Sequence, residues 1–352
     1  GRHIWSNVYG GPQIDQCNKL LRSGDSALYI IGYSNSYSQG DYDGLVIRTD
    51  TAGVVTWTRS TGSADWDFFN SGVMLNDGSL VLCGYSYGHP ADFSQGYVVR
   101  MTASGDTLWT RYFGTPGDDQ FNDIMLRSDT LFLCGTVSDS AGGLRSGWLM
   151  ALDTSGNSLG QAIISGYPDL QFSSVIDLFG ANHISGSMYD SSVNHRTNWY
   201  GEVDLTGTTA RVDHYSNING GLNASCVTYD SNLLMVGTCS SFGLGKEGAF
   251  MNWTNQWGGL IGAPTYGDRE KDEAFDVVSL SDGRIAVCGY TQDIVTLQED
   301  FYLVIFPYHD LPVIKNPEQY GSRDTCRYNE QLSPIYVEEL NDERCEVYPN
   351  PA

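Results

Sequence analysis

Positive charge is scarce in this 352-residue chain, which has 19 Lys and Arg residues against 42 Asp and Glu, a formal net charge of −23. So acidic a surface repels phosphate backbones and anionic lipids, and neither nucleic-acid binding nor direct membrane insertion is expected. Runs of roughly 18 or more apolar residues are missing, which argues against a transmembrane helix. Helical periodicity of useful length is missing too, so the fold must come from strands and turns.

Motifs for metal binding and nucleophilic catalysis are also few. The histidines show no H-x-x-x-H spacing and adjoin no Cys-x-x-Cys pair, so a zinc site is not expected. Residues 84–88 match the G-x-S-x-G nucleophile elbow, but that motif requires a strand followed by a helix. Because no helical pattern follows, we interpret the segment as a repeated strand end.

What the chain does contain is a repeat with a period of about 52 residues. One glycine marker, at the end of an apolar run, recurs at Gly32, Gly84, Gly135, Gly186, Gly237 and Gly289. A second glycine marker recurs at Gly10, Gly62, Gly114, Gly166, Gly267 and Gly321. Trp5, Trp57 and Trp109 share the same spacing. Markers that stay in phase over the whole chain indicate one structural unit copied six times.

Each unit reads as four short strands joined by turns. In the second unit, apolar runs at 79–84 and 97–101 follow the turn signal Asp77-Gly78, which is typical of a hairpin. Four antiparallel strands in a unit of this length are typical of a β-propeller blade. The sequence therefore predicts an all-β fold, a β-propeller of six four-stranded blades.

The two ends of the chain bear on how the propeller closes. Residues 4–9 are a surplus copy of a unit's last strand, whereas Pro312 and Pro317 interrupt the last strand of the sixth unit. We therefore expect the N-terminal strand to close the ring. Seven blades remain an alternative if 326–347 form a degenerate blade, although about 22 residues are few for four strands. The predicted domains are a propeller at 1–321, a tail at 322–346 and a truncated C-terminal segment at 347–352.

The pattern resembles a known group of proteins. Units with a Trp, a Tyr-Gly or Gly-Gly pair, an Asp and an Asp-Gly hairpin resemble the secreted repeat propellers of the Bacteroidota. The final residues, 347–352, read Val-Tyr-Pro-Asn-Pro-Ala and resemble the start of the type A sorting domain of type IX secretion cargo. The resemblance implies export through the periplasm to the cell surface or the medium, with the secretion machinery as a partner. The alternative is a Pro-rich linker that shares these residues by chance.

Cysteine usage is consistent with an oxidising compartment, because eight is an even number. Cys326 and Cys345 flank the tail, where little core is available, and we predict that they form a disulfide; a loop of about 18 residues closed in this way gains about 3 kcal/mol. The thiols at 83, 134 and 288 occupy one repeat-equivalent position and are interpreted as small hydrophobic residues. Cys17, Cys226 and Cys239 remain unassigned.

An acidic residue follows the second glycine marker by five residues in four units. These residues are Asp15, Asp67, Asp119 and Asp272. Placed where one blade passes to the next, they would ring one mouth of a channel and hold a cation such as Ca²⁺, which prefers several oxygen ligands. The alternative is that each carboxylate accepts N–H bonds within its own turn. No other cofactor is predicted.

The fourth unit departs from the repeat between its second and third strands. This stretch offers side chains that suit sugar rings and hydroxyl groups, namely Tyr189, Asp190, His195, Arg196, Asn198, Trp199 and Tyr200. Insertions on one face of a repeat protein often form its binding surface, so these residues are the candidate binding site. The alternative is that Trp199 and Tyr200 are strand residues of the core, because Trp148 is their equivalent in the third unit.

Five Asp-Ser or Asp-Thr triplets resemble the O-glycosylation sequon of the same bacterial group. Their hydroxyl residues are Ser26, Thr51, Thr107, Thr130 and Ser140. Turn chemistry also enriches these dipeptides.

The regular repeat without a catalytic constellation favours a secreted or surface binding and adhesion module for glycan or protein. The alternatives are a carbohydrate-active enzyme, either a glycosidase or a polysaccharide lyase, and a structural partner of the secretion machinery.

Overall fold

In the computed structural model the chain is an all-β, six-bladed β-propeller, which confirms the fold predicted from the repeats. The structure describes residues 6–24, 27–88, 93–139, 143–214, 218–240, 247–263, 265–266, 271–292 and 299–307. Over these ranges, no helix has the length and apolar character needed to cross a bilayer.

The first of two compact units comprises residues 3–177 and 204–208. It contains blades 1 to 3, each a four-stranded antiparallel sheet whose strands pair in chain order. Their strands are β1 (Asp15–Arg22), β2 (Leu28–Ser34), β3 (Asp43–Thr49), β4 (Val55–Thr61), β5 (Asp67–Met74), β6 (Leu80–Ser86), β7 (Gln95–Met101), β8 (Thr107–Phe113), β9 (Gln120–Arg127), β10 (Thr130–Ser138), β11 (Arg145–Asp153) and β12 (Ser158–Ile164).

The second unit comprises residues 1–2, 178–203 and 209–352, so the division falls at the end of β13. Blade 4 has the strand order β13-β14-β15-β16, blade 5 pairs both β20 and β21 with β19, and blade 6 shows β22-β23-β24 within the described residues. The strands are β13 (Gln171–Leu178), β14 (Ala181–Asp190), β15 (His195–Val203), β16 (Thr209–His214), β17 (Gly220–Val227), β18 (Leu233–Cys239), β19 (Gly248–Thr254), β20 (Leu260–Gly262), β21 (Thr265–Tyr266), β22 (Asp272–Ser279), β23 (Arg284–Gln292) and β24 (Glu299–Pro307).

The predicted closing strand, 4–9, begins outside the described residues, and its described part is not a strand. Its position is nevertheless informative. The Tyr9 hydroxyl donates to Gly53 O, in the last turn of blade 1, at 2.7 Å. Trp57 Nε1, in the fourth strand of blade 1, donates to Ala103 O in the corresponding turn of blade 2 at 3.2 Å. The N-terminal segment thus contacts the last turn of blade 1, and its pairing as the closing strand stays a prediction.

The C-terminal part of the chain, from 308 onward, lies outside the described residues. The predicted tail at 322–346, the segment at 347–352 and the pair Cys326 and Cys345 all fall there and stay predictions. No disulfide joins the described cysteines, which are Cys17, Cys83, Cys134, Cys226, Cys239 and Cys288.

The first glycine marker has a steric cause. In each of several blades the first strand carries a β-bulge opposite this glycine, which brings two backbones unusually close. A β-carbon at Gly32 would lie 1.8 Å from Gln16 O, and one at Gly84 would lie 1.9 Å from Phe68 O. The same approach within 1.9 Å occurs at Gly135, Gly237 and Gly289. Only glycine fits this position, and that is why it recurs.

The bulge residue itself joins one blade to the next. In blades 1, 2, 3 and 5 it is an asparagine whose Nδ2 group donates to a backbone carbonyl in the first strand of the following blade, and we call these contacts the asparagine clasps. In blade 6 the bulge residue is Phe275. The clasps join Asn18 to Phe69 O (2.8 Å), Asn70 to Phe121 O (2.8 Å), Asn122 to Phe172 O (2.6 Å) and Asn223 to Ala274 O (2.9 Å). Each clasp satisfies a carbonyl group at the place where the bulge interrupts the strand ladder.

Apolar packing between blades completes the core. Phe121 stacks on Trp148 within blade 3, with ring centroids 4.3 Å apart, and Cys83 and Val98 of blade 2 lie in the same buried cluster. Cys83 and Cys134 are fully buried, as expected for small hydrophobic residues. Cys288, at the equivalent position in β23, is instead exposed, so the predicted burial of this thiol does not extend to blade 6.

Candidate functional site

A continuous cluster of aromatic side chains lies at one edge of blades 1 and 2. This edge collects the ends of β2 and β6 and the starts of β3 and β5, because successive antiparallel strands reverse direction. We call the cluster the aromatic surface, and its members are Tyr33, Tyr42, Trp66, Phe68, Tyr85 and Tyr87.

Phe68 is the buried anchor of the aromatic surface, with only 8% of its surface exposed. Tyr85 stacks on it with centroids 4.7 Å apart and planes at 24°, and Tyr33 meets it edge-on at 4.7 Å and 79°. Tyr42 also stacks on Phe68, with centroids 5.7 Å apart and planes at 26°. Stacked and edge-to-face pairs both stabilise an aromatic cluster beyond simple area burial. The anchor therefore fixes the rings around it.

Trp66 and Tyr87 form the exposed rim, with 46% and 37% of their surfaces accessible. Their ring centroids lie 6.0 Å apart and their planes meet at 82°. Trp66 Nε1 donates to Asp41 Oδ2 at 3.0 Å, which holds the indole in place. Large aromatic rings that are held rigidly at a surface and flanked by a carboxylate can bind a ligand with both apolar and hydroxyl groups.

Two phenol groups of the cluster, those of Tyr33 and Tyr85, are held in the neutral form. Burial raises the pKa of Tyr85 to about 12, with a further contribution from Tyr87 and Tyr33. Burial also raises the pKa of Tyr33, whose hydroxyl donates to Gln16 Oε1 at 2.5 Å. Neutral hydroxyl groups both donate and accept hydrogen bonds, as a polyhydroxylated ligand requires.

Of the four aspartates predicted to bind a cation, Asp15, Asp67 and Asp272 begin the first strands of their blades, and Asp119 directly precedes β9. Three of them accept a hydrogen bond from the backbone N–H four residues earlier: Asp15 from Gly11 (2.7 Å), Asp67 from Ser63 (2.6 Å) and Asp119 from Thr115. Asp272 is buried with 3% exposure. Across the described part of the chain, no group of three or more His, Cys, Asp or Glu side chains could hold a metal ion. The contacts match the alternative of turn stabilisation, and Ca²⁺ binding stays a prediction.

A pair of buried carboxylates lies directly behind the aromatic surface. Asp43 and Asp67 follow Tyr42 and Trp66 in the chain and are 2% and 0% exposed. Each has one oxygen, Oδ1, without a hydrogen-bond partner. A β-carbon at Gly62 would lie 2.5 Å from Asp43 Oδ1 and 2.7 Å from Asp67 Oδ2, so both carboxylates reach the same point.

Electrostatics act against ionisation of Asp43. Burial raises the pKa of its carboxyl group, the N–H of Gln39 lowers it in part, and the charge of Asp67 raises it further. Blade 2 has an amide at the equivalent place: Gln95 Nε2 donates to Thr115 O at 3.0 Å and approaches Asp119 Oδ2 at 3.4 Å. Blade 1 therefore has a carboxyl group where blade 2 has a neutral hydrogen-bond donor.

The fourth-unit candidates separate into two groups. Four lie beside the β14–β15 hairpin turn, where Tyr189 pairs with Arg196 and Asp190 with His195. The other three are buried in β15, namely Asn198 (0% exposed), Trp199 (0%) and Tyr200 (2%). Trp199 and Tyr200 are therefore core residues of a strand, as the alternative interpretation of the sequence stated. The seven residues do not form one exposed surface, and binding by the four at the turn stays a prediction.

The segment that matches a nucleophile elbow has a different role. Ser86 ends strand β6 and is fully buried, and Gly88 N donates to its hydroxyl at 3.1 Å. No reacting group can approach a serine so placed, which agrees with the interpretation of the segment as a strand end. Its two tyrosines, Tyr85 and Tyr87, belong to the aromatic surface.

Three of the predicted glycosylation residues are described. Thr51 and Thr107 are exposed and Thr130 is half-buried, whereas Ser26 and Ser140 lie outside the described residues. Modification of all five stays a prediction.

Another carboxyl group with a raised pKa, that of Glu273, lies in blade 6. Burial raises the pKa of Glu273 in β22, Asn223 lowers it in part through a hydrogen bond to Oε1 (2.8 Å), and the charge of Glu247 raises it further. Lys271, whose Nζ lies 3.4 Å from Glu247 Oε2, lowers the pKa of Glu273 in part. A carboxyl group whose pKa is raised by burial and by a second carboxyl group nearby is an arrangement used for acid and base catalysis.

Sequence reasoning missed the aromatic surface and the asparagine clasps. Tyr33 and Tyr85 follow the first glycine marker one repeat apart, and the clasp residues Asn18, Asn70 and Asn122 are each separated by 52 positions. The spacing was a usable signal for the clasps. Trp66 gave none, because it is not repeated in the neighbouring units.

Comparisons with known proteins assign no family. No family model matches the chain, and no curated protein matches it. Among solved structures, it is similar to an α-L-arabinanase of Penicillium chrysogenum in complex with arabinobiose (TM-score 0.48, 12% identity, 83% of this chain and 93% of that one). It is also similar to a subtype N11 neuraminidase-like protein of flat-faced bat origin (0.47, 10%, 82% and 86%) and to Sqt1 of Chaetomium thermophilum (0.44, 13%, 82% and 68%). Similarities this low assign no activity to this chain.

Proposed function

We propose that the protein is a carbohydrate-binding β-propeller that recognises a glycan through the aromatic surface on blades 1 and 2. The observation that carries the proposal is the exposed pair Trp66 and Tyr87, held by a buried aromatic anchor and flanked by Asp41. Sugar rings present C–H faces that pack on aromatic rings and hydroxyl groups that bond to carboxylates and phenols. Adhesion to a surface glycan is the simplest use of such a site.

A glycan array followed by titration calorimetry tests this proposal. We expect Trp66→Ala to abolish measurable binding, since the stacking partner is removed. Trp66→Phe keeps a ring but loses the N–H bond to Asp41, and we expect it to retain part of the affinity. Trp257→Ala is the matched control, because Trp257 is an exposed tryptophan (68%) in the β19–β20 turn of blade 5. Equal loss of affinity in the control and in Trp66→Ala would contradict the assignment.

Hydrolysis of glycosidic bonds is the second candidate function, favoured by the environment of Glu273. Burial and the charge of Glu247 raise the pKa of Glu273, and the acid form of Glu273 can protonate a leaving oxygen while a neighbouring carboxylate activates water. Asn223 orients the acid. This arrangement would make the chain a carbohydrate-active enzyme on a propeller scaffold.

Incubation with a polysaccharide panel, with reducing-end detection, tests the second candidate. We expect Glu273→Gln to abolish release of sugars and Glu202→Gln, in β15, to leave it unchanged. Activity should fall as pH rises through the raised pKa of Glu273, because the acid form is then lost. Absence of product with wild-type protein over the whole panel would eliminate hydrolysis and leave binding as the function.

We further propose export by the type IX secretion route, to the cell surface or the medium. The resemblance of residues 347–352 to a sorting domain and the predicted pairing of Cys326 with Cys345 support it. In a host with this route, replacing Pro349 and Pro351 by Ala should leave the full-length protein in the periplasm. A thiol titration of the unfolded, unreduced protein should detect six free thiols rather than eight.

A further inference from the structure

The exposed rings of the aromatic surface form a corner and not a platform. Trp66 and Tyr87 have planes at 82° and centroids 6.0 Å apart. A sugar ring packs best with one of its C–H faces against an aromatic face. Two perpendicular rings cannot both lie against the flat side of one extended chain of sugars. Both can contact a single sugar unit seated in the angle between them.

The corner is fixed before any ligand arrives. Trp66 is held by its N–H bond to Asp41 and meets the buried Phe68 ring at 89°, with centroids 6.3 Å apart. Tyr87 is backed by Tyr85 at 6.1 Å and 79°, and Tyr85 in turn stacks on Phe68. Each wall therefore rests on the same anchor. Rings that are held in this way lose little conformational freedom on binding, so one small unit can be held without many contacts.

Charge at the corner selects against acidic sugars. Asp41 accepts the N–H bond of Trp66, Asp65 precedes Trp66 in the chain, and both aspartates are exposed. The chain as a whole has a formal net charge of −23. A uronic or sialic acid would bring its carboxylate towards these groups and be repelled, whereas neutral hydroxyl groups can donate to them.

Building on the proposed glycan-binding function, we propose that the corner formed by Trp66 and Tyr87 accepts one neutral sugar unit at the end or branch of a glycan, and not the face of an extended polysaccharide.

Titration calorimetry with sugars of increasing length tests this inference. The probes are methyl glycosides of glucose, galactose, mannose and N-acetylglucosamine, and the oligosaccharides of the best binder up to the hexamer. We expect affinity to level off at one or two units and Tyr87→Ala to weaken the single unit at least tenfold. Glucuronic acid should bind at least about fivefold more weakly than glucose, with the difference narrowing as salt screens the charges. Thermal melting of Tyr87→Ala confirms that the variant is folded.

The results distinguish this inference from the proposed function. Affinity that keeps rising to the hexamer, with single-unit binding unchanged in Tyr87→Ala, would show an extended platform and overturn the inference while preserving glycan binding. Equal or tighter binding of glucuronic acid would overturn its neutral specificity. Binding of none of these sugars, acidic or neutral, would remove the proposed function together with the inference.

Discussion

Replacing Asp43 by Asn should stabilise the protein at neutral and alkaline pH. The Asp43 carboxyl group is 2% exposed, shares a confined space with Asp67, and has one oxygen without a partner. Burial and the charge of Asp67 raise its pKa. Ionisation therefore costs the folded state more than the unfolded chain, by about 1.4 kcal/mol for each pKa unit. An amide of the same size removes that charge and supplies a donor.

The sign of the pH dependence follows from the raised pKa. The folded protein keeps the proton on Asp43 to a higher pH than the unfolded chain does, so this contribution to stability is present below the unfolded pKa of 3.8 and is lost as pH rises through the folded value. We expect Asp43→Asn to be more stable than wild type by about 1–3 kcal/mol at about pH 8. The gain should shrink towards zero at about pH 4.

Urea denaturation at several pH values measures this difference. Blade 2 offers the reciprocal variant, because Gln95 stands where blade 1 has Asp43 and already contacts the turn of Asp119. Gln95→Glu, a substitution of equal size, should destabilise the protein at about pH 8 and regain stability as the solution is acidified. If Asp43→Asn is less stable than wild type at every pH, or if its effect does not vary with pH, the carboxyl group is not protonated in the fold and the reasoning fails.

Three further outcomes are expected. Gly84→Ala should lower the free energy of unfolding by more than about 3 kcal/mol or prevent folding, because its β-carbon would lie 1.9 Å from Phe68 O. Soluble yield and circular dichroism measure this effect, and an intact fold of normal stability would contradict it. Asn70→Ala should lower the free energy of unfolding measured with urea by about 1–3 kcal/mol, since it leaves Phe121 O without its donor. Asn70→Asp keeps the size of the side chain but lacks the donor, and it should lower that free energy at least as much. Intact mass of protein from its native host should exceed the mass of the bare chain if residues such as Thr51 are glycosylated, and an equal mass would exclude the modification.

The repeat allowed the fold to be predicted, since its glycine marker reflects a contact that every blade needs. Gly32 and its equivalents face a β-bulge where no β-carbon fits, so the marker survives even where other residues have changed. The role of the repeated aspartates could not be decided from the sequence. A carboxylate that stabilises a turn and a carboxylate that binds a cation would recur with the same spacing. The structure shows Asp15 and Asp67 bonding within their turns.

The candidate site could not be predicted because it depends on departures from the repeat. Trp66 has no equivalent in the other units, and its importance appears only when β3 and β5 bring it beside Tyr42 and Tyr87. The irregular stretch of the fourth unit was expected to be a binding loop, yet Trp199 lies in the core of its blade. Irregularity in sequence was thus a poor guide, since a longer hairpin changes the turn without exposing the strand.

The asparagine clasps have a consequence for how such a chain can grow. Each clasp grips main-chain oxygen, an atom that every amino acid supplies, so a neighbouring module need not carry a matching partner group. A blade added by gene duplication or recombination would bring its own asparagine donor. The neighbouring blade would supply the backbone carbonyl acceptor whatever its side chains. Side chains could then change in one blade without disrupting its contacts with the next. The edge of blades 1 and 2 could therefore acquire the corner of Trp66 and Tyr87 while the other blades kept their side chains.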